Sequence, residues 1–308
     1  MFDSMWKTYL KGVAMGAADI VPGVSGGTIA FISGIYERLI SALGRIRPEL
    51  ISIWRAQGFA AVWKDIDGTF LSTLFAGILT SVFTLSRIIS SLLQSHPNLI
   101  WAFFFGLILG SVWFVGKAIR EKNALSALLI GLGAAVAYGL TALSPTSLEP
   151  TYLNLFISGA IAICAMILPG VSGSFLLLLL GIYGPVLAAV KGFDILPLSI
   201  FASGCLIGLL SFTHLLSWLL RRYHDYTLAV LTGFMLGALN KVWPWKYTLE
   251  YRIDSHGAQI PLVQANVFPS RYEVITGEPA QVLTVVALFA VGALMVVALE
   301  KVRLGYQK

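Results

Sequence analysis

The sequence predicts an all-α polytopic membrane protein with an inverted repeat, each half a re-entrant helical hairpin followed by three transmembrane helices. Three observations carry this. First, 57% of the 308 residues are hydrophobic and 12% are charged, where a soluble domain carries roughly 25% charged residues. Mean hydropathy is +0.82. Second, apolar runs long enough to span a bilayer recur along the chain. Third, one motif occurs twice. Val21-Pro-Gly-Val-Ser-Gly26 returns as Leu168-Pro-Gly-Val-Ser-Gly173, and both copies run on to Gly-Ile-Tyr, at Gly34-Ile-Tyr36 and Gly181-Ile-Tyr183. Residues 18–43 laid on 165–190 without a gap match at 11 of 26 positions. Chance would give about 2 or 3 in so apolar a chain, so the repeat is real.

The first half covers residues 1–150. Residues 1–17 are a short basic lead with Lys7 and Lys11. Lys11 interrupts the first apolar run and no small-residue cleavage site follows, which is not the pattern of a signal peptide. Pro22 removes an amide donor and the glycines permit backbone that a helix cannot hold, so the motif breaks its helix inside the membrane. About ten residues separate Lys11 from Pro22, roughly half a bilayer at 1.5 Å per residue. The arm after the break, 26–43, is longer. Residues 8–43 are therefore read as a re-entrant hairpin, tolerated at membrane depth only inside protein or lining a cavity. Residues 44–69 carry Arg45, Arg47, Arg55 and Lys64 among Ile51, Trp54, Phe59 and Trp63, an interfacial amphipathic insertion. Spans follow near 70–93, 99–117 and 124–143, and Ser144-Pro-Thr-Ser-Leu-Glu-Pro150 closes the half.

The second half, 151–308, repeats the plan. A hairpin covers 151–190, with spans near 197–220, 226–240 and 280–300. A constant shift of 127 superposes Gly77 on Gly204, Gly106 on Gly233 and Gly110 on Gly237, and the hairpins align at a shift of 147. The 241–279 loop is the one long polar segment. It opens with Trp243-Pro-Trp-Lys-Tyr247, an aromatic cluster suited to a membrane interface. Three spans per half make the second half enter from the opposite face, and full-length hairpin arms would give the same inversion. With the N-terminus inside, 15 of the 21 Lys and Arg residues fall on the inner side and 6 on the outer. The positive-inside rule thus puts both termini in the cytoplasm.

Inverted repeats whose broken helices meet near the midplane are the build of secondary transporters. Each break exposes helix N-terminal amides, at Gly26, Gly27 and Thr28 and again at Gly173, Ser174 and Phe175. Free amides at the positive dipole end form an anion site without a charged side chain. Ser25 and Ser172 add hydroxyls or cap those helices. The bland alternative is that the motifs shape two packed kinks. Asp19, whose counterpart is Met166, is an ionisable group at membrane depth and a candidate to couple a proton or a cation such as sodium. Its alternative is a carboxylate satisfied by neighbouring amides. Glu37 and Arg38 are gating candidates or a solvated pair. Arg87 and His214 occupy equivalent repeat positions. Arg87 is a candidate lipid-phosphate contact or a snorkelling side chain, and His214 a weaker coupling candidate. Cys164 and Cys205 lie in apolar spans as small hydrophobes. No Cys/His spacing suggests a metal, and no cofactor is expected. Net charge is +6, but the basic residues are scattered, which excludes a nucleic-acid face. The sequence is compatible with a homo-oligomer.

The paired motifs, Gly34-Ile-Tyr-Glu-Arg38, Ser158-Gly-Ala-Ile-Ala162 with Met166-Ile-Leu-Pro169, and His224-Asp-Tyr-Thr-Leu228 with Trp243-Pro-Trp245 resemble the bacterial PopT family, regarded as polyprenyl-phosphate translocases. The resemblance covers nearly the whole chain. It implies return of undecaprenyl phosphate, the lipid carrier of cell-wall glycan synthesis, from the outer to the inner leaflet of the cytoplasmic membrane. It implies the motif residues as substrate contacts, and departs at Asn240, where a basic residue is expected. Two rival readings stand beside it. Gly23-Val-Ser-Gly26 has the form of an intramembrane serine hydrolase, but no strand precedes Ser25 and a nucleophile has no use for a duplicate. An ion-coupled small-anion transporter would share the architecture. A lipid substrate predicts a lateral, membrane-facing opening, where a small solute predicts an aqueous vestibule.

Overall fold

In the computed structural model, residues 2–21, 23–143, 146, 148–253 and 259–305 are described. Pro22 of the first motif lies outside them, as do Ser144, Pro145 and Ser147 of the segment closing the first half.

Both hairpins follow one local plan. Helix α1 (Phe2–Ile20) ends before the motif, Gly23 takes φ +85°, and α2 (Gly26–Ile32) starts on Ser25 as N-cap. Helix α2 stops at Gly34, φ +72°, and α3 (Tyr36–Gly44) follows. The stop is a Schellman turn: the amide of Ile35 donates to the Ala30 carbonyl at 3.0 Å. Further along the chain, α4 (Leu50–Gln57), α5 (Phe59–Asp65), α6 (Gly68–Ser95), α7 (Pro97–Ala118) and α8 (Ala124–Ala142) complete the first half. In the second copy α9 (Tyr152–Ile167), α10 (Gly173–Leu179) and α11 (Tyr183–Gly192) repeat the hairpin, with Ile182 donating to Leu177 at 3.0 Å. Helices α10 and α11 meet at 107°.

This corrects two expectations. The arm predicted at 26–43 is two helices, because Gly-Ile-Tyr is itself a helix stop. The first arm is longer than ten residues: α1 has 19, and Lys11 lies within it. Its amine donates to the Ser33 carbonyl at 2.7 Å, at the end of α2.

The insertion is the pair α4 and α5, jointed at Gly58 (φ +81°), with Ile51, Trp54, Phe59 and Trp63 all exposed. Helices α12 (Ile195–Arg222), α13 (His224–Ala238) and α15 (Val282–Gly305) fall where the second half's spans are expected, and α14 (Pro269–Thr276) lies in the loop before α15. Among the described residues five helices are long and apolar enough to cross a bilayer: α6, α7, α8, α12 and α15. With 15 residues, α13 is shorter, about 22 Å at 1.5 Å per residue.

The packing has the same pattern in both halves. Helix α1 lies on α6, and α9 on α12. The third spans are exchanged: α15 packs on α7, and α8 on α13. Lipid supplies no hydrophobic drive between helices, so close approach depends on small residues. A Cβ at Gly77 would strike the Tyr9 carbonyl, and one at Gly204 the Phe156 carbonyl. Gly106 and Gly233 lie against the carbonyls of Phe289 and Ile130 in the same way. The glycines aligned by sequence are therefore the points where backbone meets backbone. The main core gathers Val21, Val24, Ile40, Leu74, Ile108, Leu231 and Met235, from the first hairpin, α6, α7 and α13.

The 241–279 loop is not only polar coil. Strands β1 (Lys246–Ile253) and β2 (Gln259–Asn266) form an antiparallel hairpin. The indoles of Trp243 and Trp245 donate to the carbonyls of Val267 and Ala280, both at 2.9 Å. Trp245 is buried with Ala102, Tyr272, Ala280 and Val285. The aromatic cluster thus pins the loop onto α7 and α15.

Candidate functional site

The two hairpin tips meet. The Ser25 hydroxyl donates toward the carbonyls of Leu168 at 3.1 Å and Met166 at 3.3 Å, in the other hairpin. The Tyr36 hydroxyl donates to the Ile167 carbonyl at 3.2 Å, and the Gly170 amide donates to Thr28 Oγ1 at 3.1 Å. Pro169 removes a donor from this turn and Gly170 takes φ +86°, so the carbonyls of 166–168 turn away from a helical ladder toward the first tip.

The expectation of free amides is corrected at the first tip. The Gly26 amide donates to Asp19 Oδ1 at 2.7 Å, and the Gly27 amide to Ser25 Oγ at 3.1 Å. Asp19 thus sits where an anion would sit. At the second tip Met166 replaces that carboxylate. There the Phe175 amide reaches Ser172 Oγ at 3.4 Å, and Ser172 and Ser174 share a hydrogen bond of 3.0 Å. Ser172 and Gly173 are buried while Ser174 is half-buried. Neither motif serine has a histidine among its hydrogen-bond partners, which are carbonyls and amides for Ser25 and Ser174 with an amide for Ser172.

Lys241, just past α13, lies across both tips. Its amine stands 4.4 Å from the centre of the Phe175 ring, and its stem fills the space a Cβ on Gly23 would need. Lys246, at the start of β1, stands 3.8 Å over the Trp101 ring and donates to the Lys241 carbonyl. Burial pushes both ammonium groups below the usual lysine range, and for Lys246 the neighbouring Lys241 charge adds to it.

A cavity of about 360 Å³ opens beside these lysines. One wall is polar: Asn240, Lys241, Lys246, Gln264 and Asn266. The other is Tyr138, Ala142, Leu143 and Phe175. Tyr138 and Leu143 are more than half exposed, on the outward face and end of α8. A narrow cleft continues from Lys241 to Gly23, Gly170 and Ser172. Asn240 braces the polar wall: it donates to Thr141 Oγ1 at 2.9 Å and accepts from Asn266 at 2.8 Å.

The remaining candidates lie elsewhere. Arg38 forms a two-point pair with Asp67 (2.6 and 3.1 Å) and stacks on Phe70. Glu37 Oε1 lies 3.2 Å from His224 Nε2. The two are therefore tied to other elements, not to each other. Arg87 is exposed on α6 and lines neither cavity described beside the tips. His214 is exposed, its Nδ1 2.6 Å from the Leu210 carbonyl. It lines a separate cavity of about 450 Å³ with Arg45, Arg47, Ser217 and Arg221. Among the described residues no His, Cys, Asp and Glu group could hold a metal ion.

Sequence reasoning counted Lys241 and Lys246 only as topology charges. The signal available was their place on either side of Trp243-Pro-Trp245, next to the departure at Asn240. What it could not supply was the exchange of third spans, which carries the end of α13 over the tips.

Broken helices meeting inside a bundle of apolar spans, with a basic cavity at their junction, define a polytopic membrane transport protein. Comparison with known proteins gives the family. A model for the undecaprenyl phosphate translocase-like family matches residues 15–260, and the chain belongs to that family. It is 58% identical over 295 residues to a protein of Vibrio cholerae named polyprenyl-phosphate transporter, covering 96% of each chain. It is 32% identical over 268 residues to a Staphylococcus aureus protein of the same name, covering 78% of this chain and 86% of that one. No solved structure matches. Both relatives are named as transporters.

Proposed function

We propose that the protein returns undecaprenyl phosphate from the outer to the inner leaflet of the bacterial cytoplasmic membrane, supplying the lipid carrier of cell-wall glycan synthesis. The phosphate is handled where the two hairpin tips meet, and the polyprenyl tail stays in lipid. Keeping the tail in hydrocarbon avoids about 0.8 kcal/mol per CH₂ exposed to water, so only the head group has to be carried.

One observation supports this reading above the others. The cavity beside the tips has a basic, amide-bearing wall on one side and the outward apolar face of α8 on the other. Such a lining suits an anionic head on an apolar tail and not a small hydrated anion. The names of the relatives agree with that substrate. The equivalent helix pairs and shared glycine contacts favour a two-fold relation between the halves, as alternating access across an inverted repeat requires. Both termini are then cytoplasmic, and the cavity opens on the outer side, with the 241–279 loop. Asp19, the carboxylate already lodged at the first tip, is the coupling group, exchanging a proton or sodium as the phosphate passes.

The test is leaflet-resolved measurement of undecaprenyl phosphate in cells lacking or overproducing the protein. Outer-leaflet lipid is expected to rise on loss and fall on overproduction. No change with protein level would remove the substrate and the direction together.

A further inference from the structure

We infer that Lys241 and Lys246 form the phosphate-binding pair of the outer cavity, a site for the head of a lipid phosphomonoester. The inference rests on the transport reading above and assigns its head-group contacts.

The geometry comes first. Both lysines line the same cavity of about 360 Å³. Lys246 donates to the backbone carbonyl of Lys241, which fixes its amine beside that residue, and the Lys241 charge is felt at Lys246. Neither forms an ion pair with a carboxylate among the described residues. Each is packed instead on an aromatic face, Phe175 for Lys241 and Trp101 for Lys246. A ring face attracts a cation but does not neutralise it. Taking two like charges out of water without a counter-ion is costly, and a bound anion offsets that cost. The depressed basicity of both amines is the same tension seen from the proton's side.

The chemistry of the anion follows from what surrounds the pair. A phosphomonoester carries about −1.5 to −2 charges and three acceptor oxygens, which matches two ammonium groups sharing one phosphoryl. A carboxylate, with one charge, would leave one lysine uncompensated. Gln264 lines the same wall and presents further polar atoms. Tyr138 and Leu143, exposed on the opposite wall, give the ester's tail a way out to lipid. Free inorganic phosphate shares the head-group chemistry but has no use for that second wall. Lys241 also lines the narrow cleft together with Gly23, Gly170 and Ser172, so a phosphate bound to it lies beside both tips.

The experiment is binding to the full-length protein in nanodiscs, with undecaprenyl phosphate and inorganic phosphate as separate probes. Wild type should bind the lipid, and inorganic phosphate at least tenfold more weakly. Lys241→Gln and Lys246→Gln should each weaken lipid binding by about tenfold or more, and Lys241→Arg and Lys246→Arg should restore much of it. The arginine variants show that any loss in the glutamine variants is loss of charge and not of fold. Glutamine variants that bind the lipid as wild type does would overturn the assignment while leaving the transport reading intact. Equal affinity for the two probes would overturn the lipid character of the site. Failure of wild type to bind either probe, with an unchanged leaflet distribution in cells, would overturn the transport reading itself.

Discussion

Asp19 brings two separable properties to the first tip, an acceptor and a charge. Its Oδ1 accepts the Gly26 amide at 2.7 Å, which settles a donor that would otherwise be orphaned at the start of α2. Its charge is a different matter, since an amide oxygen would accept the same bond. Asp19→Asn keeps the acceptor and removes the charge, whereas Asp19→Ala removes both. We expect Asp19→Asn to purify and melt like wild type, and Asp19→Ala to lose about 1–3 kcal/mol, the usual cost of a buried unpaired amide. Transport should separate the two properties. If Asp19 couples an ion, the asparagine variant loses the dependence of the outer-leaflet lipid pool on the ion gradient while staying folded. A variant that clears the outer leaflet with wild-type gradient dependence would leave Asp19 as a capping group only. The tip glycines are less informative. A side chain on Gly173 would meet the Ala162 carbonyl, so a bulky replacement there damages the hairpin before it can report on the substrate.

Between elements, the points of closest approach are glycines, and this is where sequence and fold correspond most directly. Gly77 and Gly204 match at a shift of 127 because each seats a first hairpin arm against a long span, α1 on α6 and α9 on α12. Gly77→Leu and Gly204→Leu should force those pairs apart, lowering stability by about 1–3 kcal/mol as overpacking does and lowering the melting temperature in detergent. The controls are Gly131→Leu and Gly139→Leu on α8, where nothing lies within 4 Å of a built Cβ, and these should melt near wild type. Comparable losses at all four positions would refute the close-approach account. The spans were legible because an apolar run of bilayer length has few other uses, and the repeat because its motif is rare and ungapped. The β-hairpin was legible in principle. Tyr247, Leu249, Tyr251 and Ile253 alternate with polar residues at period two, a pattern hidden by treating the whole segment as a loop. The cavity was not legible. Lys241 reaches Gly23 and Phe175 only because α13 packs on α8 and α7, and no local pattern encodes contacts between residues so far apart in the chain.

At the scale of the whole molecule, the contacts that join the tips would hold one state of a transporter that works by the alternating access proposed above. Among the described residues four hydrogen-bond contacts cross between the hairpins, from the one Ser25 hydroxyl shared between two carbonyls, from Tyr36 to a third, and from Gly170 to Thr28. The cavity beside them opens on the side of the 241–279 loop. An inward-facing state cannot be reached while all four persist, if the halves exchange roles as the paired packing suggests. Each bond is therefore part of the free-energy difference between the two states, and a neutral hydrogen bond contributes about 0.5–1.5 kcal/mol net. Tyr36→Phe removes one and leaves the aromatic packing against Phe31, whose ring centre lies 4.6 Å away. The expected result is a shift of about two- to tenfold away from the state described, since a ligand or a bond moves such an equilibrium only by its differential contribution. Ala142 lines the cavity and is exposed, so a cysteine placed there, with Cys164 and Cys205 removed, reports the open fraction by its rate of labelling with an impermeant thiol reagent. Labelling should slow in the Tyr36→Phe background and recover when undecaprenyl phosphate is depleted from the inner leaflet. Labelling unchanged by Tyr36→Phe would mean that the tips do not move against each other during transport, and the hairpins would then be a fixed floor to the cavity instead of its gate.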